Sequence, residues 1–141
     1  LLVGTIPVTT GSTLGASVKN TGNVVLAQSA NITQASAATT IVIPANSQII
    51  EITVYVTTAW TGAATTFGVG TTASATAFTA ASAAAGGTIG IVSITPSTDA
   101  TRTGAFIDVG TSDVKIAVTS TNTGAGVGVI TVRYVQNLNL L

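Results

Sequence analysis

Hydrophobic and polar positions alternate in short runs along this chain. The clearest run is Ile49 to Thr57. Ile50, Ile52, Val54 and Val56 fall on one face, Glu51, Thr53, Tyr55 and Thr57 on the other, and Ile49 stands at the start. A helix would scatter those four aliphatic side chains around its circumference, so the period of two marks a half-buried strand. The chain is organised around this stretch. Pro44 cannot donate to a ladder and ends the run before it. The corner Trp60-Thr61-Gly62 turns the chain after it, and a short strand Thr65 to Thr71 returns, with Gly68 and Gly70 allowing close backbone approach or a bulge.

The same signal predicts strands over 24–33, 39–43, 88–94, 105–109, 114–120 and 127–136. In the run from 114, Val114, Ile116 and Val118 face one way. Polar, turn-rich segments separate the strands: Thr95 to Gly104, Gly110 to Asp113, and Thr121 to Gly126, the last read as a hairpin loop. Thr72 to Gly87 is rich in alanine, but Thr and Ser interrupt it and no charged pair supports a helix. A long loop with at most one helical turn is expected there. Leu1 to Gly22 holds no period and reads as an extended arm. Its apolar residues Leu1, Leu2, Val3, Ile6, Val8 and Leu14 suit an arm laid on a neighbouring subunit. The tail is also apolar, with Leu138, Leu140 and Leu141.

Eight short strands with polar turns predict an all-β fold: an eight-stranded antiparallel jelly-roll β-sandwich with an extended N-terminal arm. The expected divisions are an arm at 1–23, the sandwich at 24–136 and a tail at 137–141. An immunoglobulin-like sandwich is the runner-up, and it lacks the strand-buried Trp between cysteines.

Composition sharpens this picture. The 141 residues suit one domain, and only 6% are charged against about 25% in an ordinary soluble domain. Four basic and four acidic residues cancel, leaving no electrostatic footprint for nucleic acid or an anionic membrane. No apolar run approaches the ~18–20 residues of a spanning helix. The 4% aromatic content is thin for the girdles of a membrane β-barrel. Met and Cys are absent, so the chain reads as processed or lacking its initiator, and no disulfide supports it. Leu1-Leu2-Val3 lacks the basic flank of a signal peptide. So sparsely charged a surface solubilises poorly, which implies coverage by copies of the chain or by partners.

Without His or Cys, the Ser-His-Asp and Cys-His arrangements and the usual zinc ligand sets are excluded. The carboxylates are Glu51, Asp99, Asp108 and Asp113. Asp108 and Asp113 lie close across a turn; weighed as a glycosidase pair or a calcium site, they read as turn residues bonding local backbone. Ser17 and Lys19 sit in the Gly-rich arm and read as solvated. Gly124 to Gly128 imitates a phosphate loop but precedes a strand and lacks the following Lys. No catalytic residue, metal ligand or cofactor site is predicted, and the chain is not expected to be an enzyme. Trp60 is read as the anchor of a sandwich corner or an interface, with a sugar-stacking platform shared with Tyr55 or Tyr134 as the other reading. Arg133 shares a face with Val127, Val129, Thr131 and Val135, and an outward Arg among apolar neighbours suits a subunit interface.

Five segments carry a resemblance: Ile43-Pro44-Ala45, Ile49 to Ile52, Val56 to Trp60, Phe67 to Thr71, and Gly128 to Val135. In that order, across about Val24 to Gln136, the chain resembles phage virion proteins of jelly-roll type known as capsid decoration or cement proteins. The resemblance implies a protein of the outer capsid surface that assembles as a homotrimer on the major capsid protein or other virion proteins and acts without catalysis. It implies no catalytic residues. The low charge and the long Ala-rich segment depart from the pattern, so a head fibre, a tail component or a second shell protein also fits. The interface is expected at Trp60, Arg133, Tyr134 and the apolar termini, Leu1, Leu2, Val3, Ile6, Leu140 and Leu141. The alternative functions are a carbohydrate-binding jelly-roll module of a phage head fibre or tail, and a self-assembling surface or filament subunit.

Overall fold

The computed structural model describes residues 24–136 throughout and the backbone of Ile6–Thr9 and Lys19–Gly22. Those two short segments are β1 and β2, paired antiparallel with Ile6 opposite Gly22. The interface positions Leu1, Leu2, Val3, Leu140 and Leu141 lie outside the described residues, as does Ser17, and Ile6 is described only as backbone of β1.

The rest is β3 (Val25–Thr33), β4 (Ala37–Ile43), β5 (Gln48–Thr58), β6 (Thr66–Thr71), β7 (Ala84–Ala85), β8 (Gly90–Ile94), α1 (Ala100–Ile107), β9 (Val114–Ser120) and β10 (Val127–Val135). Two antiparallel four-stranded sheets form, in the orders β3-β10-β5-β8 and β4-β9-β6-β7. Their inner faces share one core. Ile52, Val54, Val56, Ile130 and Val132 come from the first sheet, and Ile41, Ile43, Phe67, Val69, Ile116 and Val118 from the second. Each such side chain contributes about 1.5–3 kcal/mol by leaving water, and the alternation of β-branched residues sets which face turns inward.

The two sheets bring together strands distant in sequence. β3 and β5 both pair with β10, with Val129 opposite Asn31 on one side and Tyr55 on the other. Among the sandwich strands, only β6 and β7 are consecutive and share a sheet. Thr121 to Gly126 is therefore not a hairpin loop: it carries the chain from β9 in one sheet to β10 in the other. At the β4 edge the Gln28 side chain acts as a short strand, its Nε2 donating to Val42 O at 2.7 Å and its Oε1 accepting from Val42 N at 3.2 Å.

Two elements differ from the sequence reading. The strand expected at 105–109 is the end of α1. Ala105-Phe106-Ile107 is too short an apolar run for periodicity to separate strand from helix. The deciding residue is Asp99, the N-cap, whose Oδ1 accepts from Arg102 N at 2.9 Å. The place of that strand is taken by Ala84–Ala85, inside the predicted loop, pairing with Thr66 and Phe67. The Ala-rich segment before it contains no helical turn. It tucks Phe78 into the core edge-on to Phe106, with centroids 5.5 Å apart. Its backbone continues along β6, where Phe78 N and Thr79 N both donate to Val69 O.

A further correction is within β5. Ile49 is buried and Ile50 is 48% exposed. The β5–β10 register slips between Arg133 and Tyr134, which face Glu51 and Ile49. Ile50 is the unpaired residue of a β-bulge, so strict alternation from Ile50 fails by one residue there.

Candidate interaction surface

Trp60, the most conspicuous side chain in the sequence, is only 2% exposed. Its Nε1 donates to Ser120 Oγ at 3.2 Å and its ring lies 5.2 Å from that of Phe67. Gly86 and Gly126 press against the indole, and a Cβ on either would come within 3 Å of ring atoms. The corner reading of Trp60 matches this geometry; its burial leaves no ring face for a partner or a sugar.

Beside it sits a residue that the sequence reading did not single out. Gln34 is fully buried. Its Nε2 donates to Thr61 O at 2.6 Å and to Asn122 Oδ1 at 3.0 Å. Its Oε1 accepts from Thr61 N at 2.9 Å and from Gly126 N at 3.2 Å. One amide thus ties together the loops after β3, β5 and β9. A lone Gln after a strand carries no periodic signal, so only the fold reveals the role.

Tyr134 is also inward, 5% exposed, its Oη accepting from Gln28 Nε2 at 2.8 Å. Trp60, Tyr55 and Tyr134 therefore do not form one platform: two are core residues, and Tyr55 alone faces solvent, 50% exposed.

Arg133 does lie on the outer face of the β3-β10-β5-β8 sheet, with Val127, Val129, Thr131 and Val135 beside it on β10 as its alternation predicts. Arg133 Nη1 donates to Glu51 Oε2 at 3.1 Å, one rung of the sheet. Both ends are about half exposed, so this pair contributes little to stability.

The outer face is ordered rung by rung. One rung reads Asn31, Val129, Tyr55, Ile91. The next reads Ser29, Thr131, Thr53, Ser93, a row of hydroxyls across all four strands, with Ser29 and Thr131 hydrogen-bonded at 2.8 Å. The third reads Ala27, Arg133, Glu51. A shallow depression of about 480 Å³ runs over the Tyr55 and hydroxyl rungs to Glu51.

Asp99, Arg102, Asp108 and Asp113 are tied to backbone or to each other. Asp99 caps α1 and pairs with Arg102 at 3.3 Å. Asp108 Oδ1 accepts from Gly110 N at 2.9 Å, the turn role expected of it. Asp113 instead reaches across to Ala45 N at 2.9 Å, pinning the turn after β4. Among the described residues no cluster of three or more carboxylates stands within reach of one metal ion. No described helix is long and apolar enough to cross a membrane.

No protein-family model matches the chain, and no curated protein does. Among solved structures, a chain of the "Cyanophage Pam1 capsid asymmetric unit" is similar over 89% of this chain and 94% of that one, at 20% identity and a TM-score of 0.47. A likeness at that level leaves the functional argument to the chain's own residues.

Proposed function

We propose that this chain is a structural virion protein, a jelly-roll subunit that decorates the outer surface of a phage capsid and acts by binding, without catalysis. The observation that carries the reading is the strand order. Each sheet interleaves early and late strands, β3 beside β10 and β4 beside β9, as if one long hairpin had been wrapped around a barrel. That order supports reading the sandwich as the double Greek key of a jelly roll, an architecture common in capsid proteins. The five segments that resemble decoration proteins fall on β4 with its turn, β5, the Trp60 corner, β6 and β10, the elements that build this wrapping.

The surface supports the same reading. Val24, Val42, Ile89 and Ile107 are 40–61% exposed, and Ile91, 74% exposed, stands with Tyr55 and Val127 on the outer face of the β3-β10-β5-β8 sheet. Scattered apolar contacts with few charges suit a subunit hemmed in by neighbours, where repetition over many sites supplies the strength that no single contact has. The oligomer proposed is a homotrimer seated on the major capsid protein or other virion proteins. Sedimentation at micromolar concentration tests this. A particle of three times 13.8 kDa is expected, and a monomer overturns the trimer. Co-sedimentation of the purified chain with undecorated capsids tests the location, and its absence from the capsid fraction overturns the decoration role.

A further inference from the structure

We propose that the outer face of the β3-β10-β5-β8 sheet is a binding site for a neutral oligosaccharide, with the Tyr55 ring as stacking platform and the adjoining hydroxyl rung as its hydrogen-bonding floor. This goes beyond the virion reading and stands or falls separately from it.

The argument starts from the layout of the face. Tyr55 is half exposed and stands in register between Val129 and Ile91, which line the same depression. Such a ring accepts the C–H face of a pyranose, burying apolar area while the sugar hydroxyls stay at the rim. Two residues along each strand, about 6.8 Å away, stand the hydroxyls of Thr131, Thr53 and Ser93. A further rung along stand Arg133 and Glu51, half exposed and bonded to each other. Apolar platform, hydroxyl row and charged pair thus follow one another within the length of a trisaccharide laid along the strands. The depression covers the first two rungs and reaches Glu51.

The choice of occupant rests on chemistry. A protein partner would have to bury the hydroxyl row at the centre of its interface. Interface centres are poor in serine, and their strongest contacts are poor in serine and threonine. Thr131 is already bonded to Ser29, but the Thr53 and Ser93 hydroxyls, left dry and unpaired, would weaken the complex. A sugar brings its own hydroxyls, each donor and acceptor, and satisfies the row. An anionic or cationic ligand has no counter-charge to meet, because Arg133 and Glu51 already neutralise each other.

The test uses the whole chain and three neutral trisaccharides, of glucose, of xylose and of N-acetylglucosamine, read by saturation-transfer NMR and by titration calorimetry. Binding of at least one is expected, with Tyr55→Phe retained, Tyr55→Ala weakened at least about tenfold, and Ser93→Ala weakened less. The Tyr55 and Ser93 variants should melt as the parent does. Failure of all three sugars to bind, or equal binding by Tyr55→Ala, overturns the site. If Tyr55→Ala instead splits the oligomer, the face is covered by a second copy and the sugar reading is overturned. Capsid co-sedimentation is measured on the same variants, so loss of sugar binding with capsid binding intact separates the two proposals.

Discussion

The Trp60 corner and the outer face of the β3-β10-β5-β8 sheet each hold a large aromatic and do opposite things. At the corner, an indole, a buried amide and two glycines close on each other until a single added carbon has no room. On the sheet face, Val, Thr, Ser, Tyr and Ile stand in rungs that the described residues leave open, with Tyr55 half exposed. The contrast teaches that the chain spends its one tryptophan on holding loops together and leaves an aromatic of half that commitment, Tyr55, to the outside. The corner sets stability; the face is where the proposed recognition would act.

The largest expected effect breaks the corner. Trp60→Ala should cost about 3–5 kcal/mol in urea unfolding, because it empties a closed site. A loss no larger than that of Tyr55→Ala would erase the distinction. Gln34→Leu comes next. It orphans the Thr61 and Gly126 amides and the Thr61 carbonyl, and should destabilise by about 3 kcal/mol. The bulge in β5 offers a matched pair: Ile52→Ala should cost about 2–4 kcal/mol and Ile50→Ala under about 0.5. Equal costs would mean that Ile50 points inward after all. On the face, Tyr55→Ala should shift stability by no more than about 0.5 kcal/mol. Smallest of all is Arg133→Ala, at about 0.2–1 kcal/mol at low salt and less at high salt, since the Glu51 pair is exposed and screened.

How much of this was legible depended on whether the signal was local. The strands at 25–33, 37–43, 48–58, 66–71, 90–94, 114–120 and 127–135 declare themselves by β-branched alternation and turn residues, within a residue or two of their true ends. Pro44 stops β4 one residue before it, as its missing N–H requires. What was hidden is non-local or compressed. Nothing in Thr121 to Gly126 says that the chain changes sheets there. Ala84–Ala85 is too short to show a period. Phe106 reads as strand until Asp99 is seen to cap the helix three residues ahead of Arg102. The face of Arg133 was readable because β10 alternates without interruption over its middle. Trp60 and Tyr134, expected at an interface, are large aromatics that the core claimed first. Gln34 was invisible because its bonds reach residues 27 to 92 positions away.

The seat of β10 between β3 and β5 has a kinetic consequence. The last of the described strands is a central one, so a growing chain holds two halves of this sheet with no common partner until about residue 135 is free. Closing a loop of that size is slow and entropically costly, and early contacts must be gathered without it. Nascent copies would therefore expose both unpaired flanks of the gap together, and crowding during synthesis is the moment of greatest risk for misassembly.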